Sequence, residues 1–184
     1  MTVGIDLGEV NIAAVVAENG QGVVITRRHL RSVKRLRNKR HAAYTKRLTR
    51  CTPGSRRTRR LLKRNAQASA RCERQARDIL HKASRQVVGF VQQQGVAHLA
   101  VGDVRAIAEG TTKGRRQNQR MSQWAHGQFV QYVTYKSRAV GMKTTYIPED
   151  YSTRTCSVWP ALFFLTTRAG LSVPEPWLWC GALA

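Results

Sequence analysis

The sequence predicts an α/β fold in which a mixed sheet is interrupted by a long, basic helical insertion. Three observations predict it. The first thirty residues carry three short β-branched runs separated by turn residues. Residues 30–95 then switch to helical spacing with a large excess of arginine and lysine. Two further apolar runs, 97–104 and 143–147, flank a second helical pattern.

The opening strands read as Thr2–Leu7, Ile12–Ala17 and Gly22–Thr26. Gly8-Glu9-Val10-Asn11 and Glu18-Asn19-Gly20 separate them, and Asn-Gly is a strong hairpin signal. Asp6 sits in the first strand, within Val3-Gly4-Ile5-Asp6-Leu7-Gly8. A buried aspartate is costly unless it is paired or holds a metal. From these six residues alone, Asp6 reads equally well as a turn or structural residue and as a metal ligand.

From Arg27 to Arg85 there are 22 Lys/Arg and two acids, Glu73 and Asp78. Pro53-Gly54-Ser55 divides this segment into two helical arms. Leu62, Ala66, Ser69, Ala76, Leu80, Ala83, Val87 and Val91 mark one face of the second arm, and Val33, Leu36, Tyr44 and Leu48 mark the first more weakly. Helices with ordinary solvated faces interleave acids for i,i+4 pairing. Seventeen Lys/Arg with no acid between Arg27 and Arg64 repel one another instead, so the hairpin reads as a phosphate-binding surface. Arg35, Arg37, Lys39, Arg40, Lys46, Arg47, Arg56, Arg57, Arg59, Arg60, Lys63 and Arg64 are its candidate contacts.

A strand over Ala97–Val104 ends near a second acid, Asp103. Arg105–Arg120 reads as a polar loop. Ala125, Phe129, Tyr132, Val133 and Val140 give Gln123–Val140 helical spacing, with Gly141 as its stop, and Lys143–Ile147 reads as a last strand. Beyond Val158 the composition breaks. Residues 159–184 hold three tryptophans and three prolines but only two charges, Arg168 and Glu175, and show no periodicity.

Composition narrows the partner. The chain of 184 residues carries 32 Lys+Arg against 10 Asp+Glu, a formal net of +22, which calls for a polyanion. The basic residues do not alternate with apolar residues as a membrane-surface helix requires, and no apolar run reaches the ~20 residues of a membrane span. Nucleic acid is therefore expected over a membrane. The N-terminus lacks a basic-then-apolar signal, and the four cysteines lack framework spacing, so a cytoplasmic, nucleoid-associated location is expected.

A first strand bearing an acid, a helical insertion, a strand ending in an acid, a helix and a further strand fit an RNase H-like (RuvC-like) nuclease, completed here only as far as the last of these strands. Such enzymes use paired divalent ions, Mg²⁺ or Mn²⁺, held by carboxylates that converge at one end of the sheet. The ordered set VGIDLG at 3–8, LAVGDVRAIAEG at 99–110, RRQNQRMSQWAHGQFVQYVTYKSRAVG at 115–141 and YSTRTCSV at 151–158 resembles the C-terminal part of TnpB proteins, transposon-encoded RNA-guided nucleases of the OrfB type. The resemblance covers residues 1–158, leaving 159–184 as a tail outside it.

That resemblance implies DNA and guide RNA as partners, with Asp6 as the first catalytic, metal-binding aspartate. At the second motif many members have a glutamate followed by an aspartate, where this chain has Gly102-Asp103. Either Asp103 serves directly or Glu149 supplies a relocated carboxylate. The resemblance also implies a zinc ribbon starting near Cys156, but Trp159 stands at its +3 position and Cys180 is alone, so four zinc ligands are not assembled. No later acid stands where the family's third aspartate would be. The break after Val158 suggests a shifted reading frame.

Three readings follow: a RuvC-like nuclease with impaired cleavage, a nucleic-acid-binding module that does not cleave, and an actin-like ATPase using GIDLG as a phosphate motif. The third is disfavoured, because Glu9-Val10 replaces the hydroxyl residues that such a motif uses.

Overall fold

The computed structural model describes residues 1–104 and 114–148; Glu149, Cys156 and the 159–184 segment lie outside the described residues. β1 (Thr2–Asp6), β2 (Asn11–Ala17) and β3 (Gly22–Thr26) form an antiparallel meander, with Ile5 opposite Val15 and Val15 opposite Val23. β4 (His98–Asp103) and β5 (Lys143–Pro148) add in parallel, giving the order β3-β2-β1-β4-β5. Parallel neighbours require crossover connections. The hairpin of α1 (Arg28–Leu48) and α2 (Arg56–Gln93) supplies the first, and α3 (Arg115–Ser122) with α4 (His126–Ala139) supplies the second. This is the RNase H-like arrangement that the order of acids, strands and helices implied.

Strand alternation gives the sheet two unlike faces. Val3, Ile5, Val15, Leu99 and Val101 point to one side and are buried with Leu80, Val87 and Val91 of α2 and Phe129 and Val133 of α4. Burying each such side chain stabilises the fold by about 1.5–3 kcal/mol. On the opposite side Gly4, Asp6, Val16, Val24 and Ile147 are exposed, Val24 by 63%.

Turn chemistry fixes the joints. In the α1–α2 turn Gly54 takes a φ of +76°, a conformation that disfavours any side chain. Ser55 then caps α2, its Oγ accepting from the Thr58 amide at 3.2 Å, while the Thr58 hydroxyl donates to the Thr52 carbonyl at 2.8 Å. At the end of α4, Gly141 (φ +79°) lets the Met142 amide reach the Ser137 carbonyl at 2.9 Å.

Two expectations are corrected. Leu62 and Ala66 do not belong to the packed face of α2: both are exposed, and Leu61, Asn65 and Ala68 are the half-buried positions there. Leu61 and Leu62 are equivalent in sequence, and only the docking of α1 chooses between them. Residues 115–120, read as the end of a polar loop, belong instead to α3, which runs on to Ser122. Arginine, glutamine and methionine are good helix formers, and this short polar helix shows no period because Met121 is the apolar residue it sets against the core. Cys51 and Cys72 are free thiols. Among the described residues, no helix is long and apolar enough to cross a membrane.

Candidate nucleic-acid interface

The +3/+4 spacing of Arg28, Arg31, Arg35 and Lys39 puts four cations in one row along α1, about one per helical turn of 5.4 Å. All four are exposed. They form one wall of an open groove of about 970 Å³, and Gln119 of α3 and Gln123 at its C-terminus stand on the other wall. Cations on one side and amides on the other can hold phosphates while hydrogen-bonding sugars or base edges.

Beneath the groove lie two cations, one buried and one half-buried. Arg27, 3% exposed, donates to the Glu9 carbonyl at 2.9 Å and to the Gln123 carbonyl at 2.8 Å, while its Nε has no acceptor. Burial lowers its pKa most; the charge of Glu9 opposes that shift and Arg31 adds to it. The Lys34 ammonium donates to the same Gln123 carbonyl. Its pKa is pushed down to about 8, first by burial, then by the charges of Arg27 and Arg37. The negative end of the α3 dipole favours both cations. Together they tie the start of α1 to the α3–α4 junction and to the β1–β2 turn that follows Asp6.

The basic residues expected from the sequence divide by position. Arg35 and Lys39 line the groove. Arg37 turns inward and pairs with Glu73 of α2 at 3.6 Å. Arg40, Lys46 and Arg47 are exposed on α1 beyond that row; Arg56, Arg57, Arg59, Arg60, Lys63 and Arg64 are exposed on the outer half of α2. Sequence reasoning missed Arg28, Arg31 and the two glutamines. The spacing 28-31-35-39 was a legible signal; the facing glutamines were not.

The acids are placed less favourably for metal chemistry. Asp6 ends β1 on the exposed face of the sheet. The β1–β4 register pairs Ile5 with Val101, so one residue further on Asp6 stands beside Gly102. Asp103, half-buried, has the strand parity of Leu99 and Val101 and so belongs to the opposite, helix-covered face. Neighbouring strands carry the two acids, but the register does not bring them together. Among the described residues, no group of three His, Cys, Asp or Glu could hold a metal ion. The described donor set therefore does not fit a two-ion centre, which needs several carboxylates on one face.

Residues 1–108 match the family model OrfB_IS605, whose description is a probable transposase. No curated protein matches the chain. Among solved structures, the chain is similar to one in a CRISPR-Cas12f ternary complex, with a TM-score of 0.66 and 14% identity, covering 86% of this chain and 30% of that one. It is similar also to one in a Cas12f1–sgRNA–target DNA complex, with a TM-score of 0.68 and 14% identity, covering 90% of this chain and 32% of that one. At that identity the likeness is one of fold, and the fold is RuvC-like. The chain spans about a third of the length of the solved chains it matches.

Proposed function

The chain belongs to the OrfB family of probable transposases, and on that premise we propose that it binds the phosphate backbone of DNA or of a guide RNA through the α1–α3 groove and the basic hairpin. The observation that carries this reading is the row Arg28, Arg31, Arg35 and Lys39 facing Gln119 and Gln123. One of the solved chains of similar fold is in a complex with an sgRNA and target DNA, which supports nucleic acid as the partner. Base pairing with the guide then selects the target, and the protein reads shape and backbone.

Cleavage is impaired in this reading. On this proposal Asp6 would be the first carboxylate of a RuvC-like nuclease, but Gly102 stands beside it and Asp103 has the strand parity of the other face. A Mg²⁺ or Mn²⁺ centre would draw its remaining carboxylates from outside the described residues, Glu149 being the candidate. Zinc at Cys156 is not part of the proposal, because the sequence pairs no second cysteine with it at C-x-x-C spacing.

Fluorescence anisotropy with labelled single-stranded and duplex oligonucleotides tests binding. Affinity should fall steeply between about 50 and 200 mM salt, as for any interface of several phosphate contacts. Affinity that barely changes over that range would refute it. Nicking of single-stranded DNA with Mg²⁺ or Mn²⁺ tests the impairment: the chain and Asp6→Ala should both stay at background. Nicking that disappears in Asp6→Ala would show a complete nuclease instead.

A further inference from the structure

A second concave site lies between α2 and α4, lined by other residues than the α1–α3 groove. It is an open cleft of about 610 Å³ with Val88, Gly89, Ala139 and Val140 along its apolar part and Arg85, Lys136 and Tyr135 around it. Tyr135 is 49% exposed yet held from several sides. Its ring meets Tyr132 edge-on at 6.1 Å, its hydroxyl lies 3.4 Å from His81 Nδ1, and the Lys136 ammonium sits 5.9 Å from its centroid. Tyr132 is in turn stacked on His81 at 4.0 Å. A half-exposed aromatic ring fixed in this way presents a flat surface at little entropic cost.

The charge around the cleft is unbalanced. Asp78 is paired with Lys82 at 2.8 Å. Among the described residues, that leaves Arg85 and Lys136 without a carboxylate partner. The Lys136 ammonium donates to the His81 carbonyl at 2.7 Å and to Ser84 Oγ at 2.6 Å; burial, then the charge of Arg85, lowers its pKa. An anion placed between these two cations would relieve their repulsion.

Gly89 supplies an independent observation. It lies inside a 38-residue helix, where glycine is among the least favourable residues, and a Cβ there would meet nothing within 4 Å. Packing does not require glycine at this position. Its lack of a side chain leaves the floor of the cleft open.

We infer that this cleft takes an unpaired nucleotide of single-stranded nucleic acid, its base against Tyr135 and the apolar floor and its phosphate at Arg85 and Lys136. Bases stack on exposed aromatic rings without regard to sequence, whereas a paired base inside a duplex has no free face to offer. This rests on the reading that the chain binds nucleic acid, and it adds a stacking subsite to the charged groove.

The test uses the full chain with a labelled oligo-dT single strand and a duplex of equal length. Tyr135→Ala should weaken the single strand by about tenfold or more while leaving its salt slope and the duplex affinity unchanged. Tyr135→Phe keeps the ring and should bind like the parent. Gly89→Leu fills the floor and should weaken the single strand as Tyr135→Ala does, with a thermal midpoint no lower than the parent's. Gly89→Leu and Tyr135→Ala binding the single strand as the parent does, while Arg31→Ala with Arg35→Ala weakens both ligands, would overturn the inference and leave the groove standing. No binding of either ligand by the parent at low salt would overturn both.

Discussion

The two halves of α2 share one helical geometry and do opposite work. Residues 56–71 carry seven Lys/Arg and no acid, and Leu62 in this half is 50% exposed. Residues 72–93 carry Cys72, Leu80, Val87 and Val91 into the core, none more than 2% exposed. Like charges at i,i+4, such as Arg56–Arg60 and Arg60–Arg64, destabilise the outer half by a few tenths of a kcal/mol per pair. Burial holds the inner half. The outer half relies on its Ser55 cap and on α1, and a polyanion would neutralise its repulsion. Charge and burial are thus segregated along a single helix: one end anchors the sheet and the other meets the ligand.

Truncation is the most direct way to break this contrast. Leu80→Ala should lower the free energy of unfolding by about 2–5 kcal/mol, because it leaves a cavity in a close-packed core. Leu62→Ala, on the same helix, should change it by less than about 0.5 kcal/mol. Urea denaturation of both variants measures the difference, and equal losses would show that the outer half is packed as well.

Binding should follow the opposite map. Arg31→Ala combined with Arg35→Ala should reduce the salt slope of oligonucleotide binding by about 2, one for each phosphate contact removed. Leu80→Val should leave that slope alone. The thermal midpoint of the double variant should stay at the parent value, since exposed arginines of one row contribute little to folding.

Smaller effects sharpen the picture. Ser55→Ala removes the acceptor for the Thr58 amide and should cost about 1 kcal/mol in denaturant unfolding. Hydrogen exchange should show faster opening of residues 56–64 in that variant, with residues 80–91 unchanged.

The smallest effect is one of pH. Lys34 releases its proton near pH 8 when folded and near 10.5 when unfolded. Between those values the unfolded chain holds more protons, so stability should rise with pH in that window. Below pH 8 both states are protonated, and the full cost of burying the charge remains. Lys34→Met should flatten the rise; an identical pH profile for parent and variant would show that Lys34 is not desolvated.

Much of this was legible in the residues. Alternating Val and Ile around Gly4 and Gly8, Asn19-Gly20 and Pro53-Gly54-Ser55 announced strands, hairpin and helical break, because each reflects local backbone preference. The row at 28, 31, 35 and 39 was legible too, since helical spacing alone aligns it. The α3 helix was not, because a polar helix that sets one methionine against the core has no apolar period to detect. Arg27 looked like one more surface cation; its burial depends on two carbonyls, Glu9 and Gln123, that lie far apart in sequence.

The sequence by itself determined the type of every described element except α3, the positive charge of the hairpin and the acid at the end of the first strand, all of which follow from side-chain chemistry and spacing. Tertiary structure decided which residues meet. It chose Leu61 over Leu62, buried Arg27 and brought it and the half-buried Lys34 to one carbonyl, and opened the cleft over Gly89. Through the β1–β4 register it set Asp6 beside Gly102 and turned Asp103 to the other face. A strand's side chains alternate every residue, so a carboxylate displaced by one position changes face however near it lies in sequence.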